Sequence, residues 1–285
     1  MTVIGVTVSV DLQRGENVLL SNLNHALKQA CMFEALTCFR IRISWDEWMT
    51  VHGRRVYGEM VRMIARDFPF KVVPVLCCSP TMGDRRKSRR IISPEFAAAF
   101  TDEVLAQWEP YLDDYAELWN GAPLGPQWSQ ILLSMAGVVK ARGRKVLLGA
   151  RHGPTATEYA GLNKLLEHAD AFGLWWRQWH LSDLHGIRQS VAAPGGKGVF
   201  WLTETECFAR ETSEESLERF RRLLAQRPPR MFWHRLQNEP GQSDGFLDEH
   251  GRLTRIGAYL LDSGNSLNDS LWNGDPQQPI SYRYH

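Results

Sequence analysis

Eight short runs rich in β-branched and aromatic residues, each followed by a longer amphipathic stretch, constrain this chain more than any other feature. The runs cover residues 3–10, 37–43, 70–76, 112–119, 145–150, 169–175, 198–203 and 231–236. Helical apolar spacing fills the gaps at 19–35, 57–67, 94–109, 128–141, 158–167, 181–192, 213–226 and 255–261. Alternation of this kind builds parallel sheets covered by helices. Eight units in 285 residues, with no long linker, predict a single α/β domain, a (β/α)8 TIM barrel. Two helix starts are explicit in the sequence. Ser93 followed by Pro94 reads as an N-cap with proline at the first helical position. Thr212 with Glu215 three residues later reads as a capping box. The barrel is expected over residues 1–262. Residues 263–285, rich in Asn, Ser, Gly and Pro, are expected as a loop-like tail packed on it through Trp272, Tyr282 and Tyr284.

Composition narrows the partners. The net charge of +1 gives no electrostatic reason to expect nucleic acid. No apolar run reaches the ~18–20 residues that span a bilayer, so no membrane partner is expected. The apolar start at 3–10 lacks a basic lead-in and runs into Asp11, which reads as a strand rather than a signal peptide. An odd count of five cysteines, with Cys77 and Cys78 adjacent, predicts reduced thiols and a cytoplasmic setting. No cysteine pair has metal-ligand spacing, and nothing in the chain calls for a metal or an organic cofactor. The eleven tryptophans are many for this length. Some belong in a core, but aromatic-lined clefts also stack on the apolar faces of sugars.

In such a barrel the chemistry sits where the strands end, so those residues carry the functional reading. The second run reads Phe39-Arg40-Ile41-Arg42-Ile43-Ser44-Trp45. The fourth ends Tyr115-Ala116-Glu117-Leu118-Trp119-Asn120-Gly121-Ala122-Pro123. The seventh ends Trp201-Leu202-Thr203-Glu204. The stretch Gly245-Phe246-Leu247-Asp248-Glu249-His250-Gly251 precedes the last helix. Together these resemble the (β/α)8 retaining glycoside hydrolase clan with a WNEP-type motif, in its β-xylosidase-like or cellulase-like branches, over residues 37 to about 260. The resemblance implies Glu204 as nucleophile and Asn120 as the group that binds the sugar 2-hydroxyl. It implies Arg40 as the charge that keeps the nucleophile ionised; Arg42 shares its side-chain parity and is a rival. It also implies a proton-donating Glu directly after Asn120, where this chain has Gly121.

Each position has a plainer alternative. Glu204 can be a loop carboxylate at the next helix, Asn120-Gly121 a simple turn, and Arg40 part of a barrel-floor ion pair. Trp233, on the eighth strand, is as readily a core residue as a sugar platform. Glu117 reads as a structural, hydrogen-bonded carboxylate. Glu206 falls in the loop after the seventh strand. In the sixth unit the family's His and Tyr give way to Trp175 and Trp176, which either fill space or form a platform. Gln237-Asn238-Glu239-Pro240 is an NEP text match after the wrong strand, but it falls on the active face and makes Glu239 a candidate displaced acid. The basic loop from Asp84 to Arg90 reads as a solvated surface or as a binder of acidic sugar substituents.

A retaining mechanism needs two carboxylates ~5–5.5 Å apart, one attacking and one protonating the leaving group. Glycine cannot donate a proton, and general acid catalysis is commonly worth ~10²–10⁴-fold. Three readings are therefore open: a glycosidase or transglycosidase with altered acid chemistry, a carbohydrate-binding barrel without catalysis, and a barrel enzyme of another reaction class.

Overall fold

The computed structural model describes residues 2–8, 16–77, 93–119, 126–149, 163–176, 199–205, 212–233, 235–238 and 244–266. All eight expected strands form. They are β1 (Val3–Val8), β2 (Leu36–Ser44), β3 (Lys71–Cys77), β4 (Tyr115–Leu118), β5 (Lys145–Leu148), β6 (Ala171–Trp176), β7 (Phe200–Thr205) and β8 (Arg230–Trp233). They pair in sequence order, and β8 pairs in parallel with β1 to close the barrel. The helices among the described residues are α1 (Glu16–Ala30), α2 (Trp45–Trp48), α3 (Val51–Arg62), α4 (Pro94–Trp108), α5 (Pro126–Ala141), α6 (Asn163–His168), α7 (Ser213–Ala225) and α8 (Arg255–Ser266).

Local sequence explains several of the boundaries. Ser93 caps α4 by accepting from the Phe96 amide, with Pro94 in the first turn. Thr212 and Glu215 make the reciprocal capping box at the start of α7. A π-helical turn, Met63–Asp67, continues α3 toward β3. The four-residue α2, directly after β2, has no sequence counterpart among the expected helices. The last helix runs to Ser266, past the boundary expected at 262. Residues 181–192 and 267–285, expected as a helix and a tail, lie outside the described residues.

Both faces of the strands are buried, as a parallel barrel requires. Cys38, Val73, Leu147, Ala171, Trp201 and Phe232 form one apolar cluster, to which six different strands each contribute an inward-facing side chain. The larger cluster holds the alternate strand residues and the helices, including Ile41, Leu118, Leu202, Met231 and Trp233. Gly5 shows how tight the inner layer is. A Cβ there would stand 2.6 Å from the Phe232 ring and 2.8 Å from Cys38 Sγ, so only glycine lets β1 approach. At the N-terminal end, Arg230 pairs with Asp113 at 2.7 Å and stacks over Trp201 and Tyr115, which closes the floor with charge and aromatic surface. The opposite rim, where the strands end, is the end at which barrels of this architecture carry their sites.

Candidate active site at the barrel mouth

Two full charges lie inside the barrel. Arg40 on β2 and Glu117 on β4 are both fully buried. Arg40 donates from Nε to Glu117 Oε2 at 2.6 Å and from Nη2 to Oε1 at 2.7 Å. This is the bidentate fork that a guanidinium makes with a carboxylate. Arg40 Nη1 also lies 3.4 Å from the Thr7 hydroxyl of β1. Register explains the meeting. Arg40 sits opposite Thr7 and Val73, and Glu117 sits opposite Val75 and Leu147, so both side chains share the inward face. The expected structural role of Glu117 is what the geometry displays. The sequence pointed to Arg40 as the nucleophile's companion and did not reveal that Glu117 grips it on two atoms.

Backbone irregularities mark two of the strand ends. Trp119 follows the last residue of β4 with a positive φ of 48°, a conformation that bulky residues rarely adopt. It is held there by its amide bond to the Leu76 carbonyl and by packing of its ring on Trp128. Such strain concentrates where function over-determines the backbone. The next residue, Asn120, lies outside the described residues, as do Gly121, Glu206, Glu239 and the loop from Asp84 to Arg90. On β7 the register slips. Leu202 pairs with Leu174 of β6, but the following rung joins Trp175 to Glu204, which leaves Thr203 as an extra residue. Bulges of this kind occur at barrel rims and re-aim the side chains beyond them. Glu204 therefore occupies the penultimate position of β7 at the C-terminal rim, level with Trp175.

Of the two roles open to Trp233, core residue or sugar platform, the described structure shows the first. It is fully buried, and its indole N–H donates to the Asp244 carbonyl. Its ring stacks on Phe246, meets Phe220 of α7 edge-on and lies under Arg219. The side chain faces the helix layer, because Phe232 takes the inward position on β8, so Trp233 is a core residue and presents no face to a ligand.

The rim beyond β2 carries a group that no motif announced. After Ser44, which ends the strand, the chain turns straight into the single helical turn α2. Ser44 keeps the inward parity of Arg40 and is buried. Trp45 turns to the helices and packs edge-on against Phe96 of α4. Asp46, in the first turn of α2, is half-buried, and its Oδ1 accepts from the Ser44 hydroxyl and, at 3.1 Å, from the Glu47 amide. Glu47 accepts from the buried Tyr57 hydroxyl of α3. Burial and the neighbouring Glu47 push the Tyr57 phenol far above its ordinary value, so it stays a donor. Among the described residues no group of His, Cys, Asp and Glu has the arrangement of a metal site.

Three solved structures place this architecture. The exo-β-1,4-mannosidase Op5Man5 from Opitutaceae bacterium strain TAV5 superposes with a TM-score of 0.66 at 14% identity over 100% of this chain. The chain spans 63% of that protein's length. Endoglucanase Cel5A from Pseudomonas stutzeri, solved with cellobiose, has a TM-score of 0.63 at 9% identity over 92% of both chains. The mannanase catalytic domain from Streptomyces sp. SirexAA-E has a TM-score of 0.58 at 12% identity, over 92% of this chain and 84% of its own. No family model matches the sequence, and no curated protein does. The fold is a closed (β/α)8 barrel, the architecture these three glycoside-acting proteins share. No helix among the described residues is long and apolar enough to cross a membrane.

Proposed function

We propose that this chain acts on a carbohydrate or glycoside, with Glu204 as a nucleophile of the retaining type and without the usual general acid. The observation that carries the reading is the place of Glu204 on the rim. It stands one rung past a register slip at the C-terminal end of β7, in a barrel whose β2 and β4 contribute the buried Arg40–Glu117 pair. Trp119, strained at the end of β4 just before Asn120, adds a second irregularity at the strand end that the resemblance makes catalytic. In the proposed step the Glu204 carboxylate attacks the anomeric carbon and the aglycone departs with the bonding electron pair. Water or another acceptor then attacks the same carbon, releases Glu204 and gives up its proton. With glycine at position 121, departure must rely on a leaving group that is already stable as an anion, or on a displaced acid such as Glu239. Asn120 and Trp175 are assigned to sugar binding.

The test is turnover of aryl β-glycosides that carry activated phenols, with and without azide. Such substrates need little protonation, and azide attacks a glycosyl-enzyme without base assistance. Turnover that azide accelerates and Glu204→Gln abolishes supports the nucleophile. The replacement of the acid position by Gly121 favours a second reading, a barrel that binds a sugar without cleaving it. Binding without turnover on every activated substrate selects that reading.

A further inference from the structure

We infer that Arg42, on the inner wall of the barrel, binds an anionic substituent of the ligand, so that the favoured class is a glycoside carrying a carboxylate, such as a hexuronoside. This inference rests on the carbohydrate reading above and narrows its ligand.

The direction of the side chain follows from strand register. β2 pairs with β3 without a break from Cys38 to Ser44. Cys38 belongs to the inner apolar layer, and two residues on Arg40 reaches Glu117 inside the barrel. Arg42 is the next inward position, while Ile41 and Ile43 on either side of it pack in the helix-facing core. It sits opposite Val75 of β3, which sits opposite Glu117 of β4. The residues around its stem, Arg40, Ser44 and Val75, are all buried, and so is its own Nε. Arg42 as a whole is nevertheless only half-buried. The surface it keeps therefore belongs to the outer end of the guanidinium. Solvent does not reach it from below, where Arg40 and the layer of Val73, Trp201 and Phe232 are closed. It enters from the C-terminal end, so the barrel is open at its mouth down to the level of this side chain. Below the rim, β2 and β4 thus turn two guanidiniums and one carboxylate inward. Glu117 grips Arg40 on two atoms, and Arg42 adds a positive charge that this carboxylate does not match. A guanidinium presents its donors as a planar fork that fits a carboxylate on two atoms. In a partly desolvated position the contact favours an anionic ligand over its neutral isostere, because the neutral form brings no counter-charge to a guanidinium that has lost part of its water.

The experiment pairs ligands that differ only at C6. Titration calorimetry compares methyl β-uronides with their parent hexosides in the gluco, galacto and manno configurations, on the wild type and on Arg42→Gln. The wild type should bind the uronide of the fitting configuration about 10–100-fold more tightly than its parent. Arg42→Gln should remove that preference while costing the parent far less. The methyl ester of the uronide cancels the ligand's charge without touching the protein, and it should bind like the parent. Arg42→Lys keeps the charge and loses the fork, so its preference should fall in between, and it carries the test if the glutamine variant fails to fold. Equal affinity for uronide and parent in the wild type overturns the inference. So does a preference that survives Arg42→Gln, or an equal loss for both members of every pair, which is what a structural role or a role in holding Glu204 ionised would give. Neutral glycosides that bind and turn over through Glu204, with no uronide preferred, reject the role of Arg42 alone. Absence of any sugar binding by the wild type rejects Arg42 and the carbohydrate reading together.

Discussion

Charge burial at Arg40 and Glu117 is the strongest single-residue commitment in the molecule. Each ion would be costly alone, and the bidentate contact is what makes burial tolerable. Glu117→Gln should therefore destabilise the fold by about 3–5 kcal/mol, because it removes the charged partner of a fully buried bidentate pair. Replacing both residues with apolar ones of similar volume should recover much of that loss. Denaturant unfolding of the two variants checks the pair, and a Glu117→Gln protein as stable as the wild type would contradict it. Cys38 offers a second residue-level test. Burial, the dominant influence, pushes its thiol up from an ordinary 9.0 to about 12. The unfolded chain then releases this proton at lower pH than the folded one. The group's contribution is fully present below about pH 9 and is lost as pH rises toward 12. Alkylation read by peptide mass spectrometry should find exposed Cys31 reactive in the native protein and Cys38 protected until unfolding. Labelling of Cys38 at the rate of Cys31 would show that the inner layer is open.

Elements were legible to different depths. The eight strands emerged from β-branched runs because a closed barrel buries both faces, and that same burial hid which face each residue takes. Trp233 illustrates the loss. Its strand was evident, but a run apolar on every position gives no parity, and only the inward place of Phe232 shows that Trp233 faces the helices. The extra Thr203 on β7 was equally silent, since a bulge depends on pairing with β6 and not on local sequence. Helix α2 is too short to show a period, and Asp46 went unmarked with it. Caps were the opposite case, because Ser93 and Thr212 act within their own turn. Thr212→Ala should cost about 0.5–2 kcal/mol by removing the side-chain arm of the capping box at α7, which accepts from the Glu215 amide, while the backbone arm to the Glu215 carboxylate stays. Thermal unfolding measures this, and an unchanged midpoint would mean the box contributes nothing to the barrel.

At the scale of the whole molecule, the barrel divides its labour by end. The floor is sealed by Arg230, Asp113, Tyr115 and Trp201. The rim gathers a strained Trp119, a slipped β7 and the half-buried Asp46. Substitutions on the floor should register as stability and those on the rim as binding or turnover, in keeping with the general asymmetry of such barrels. The central claim is that Glu204 is a live nucleophile. The most direct measurement is intact-protein mass spectrometry after incubation with 2-deoxy-2-fluoro glycosides that carry an activated leaving group, with mapping of the modified peptide. A live nucleophile gains the mass of one fluorosugar on Glu204, and Glu204→Gln gains none. A protein that binds the sugars yet forms no adduct, or forms it on another residue, contradicts the claim.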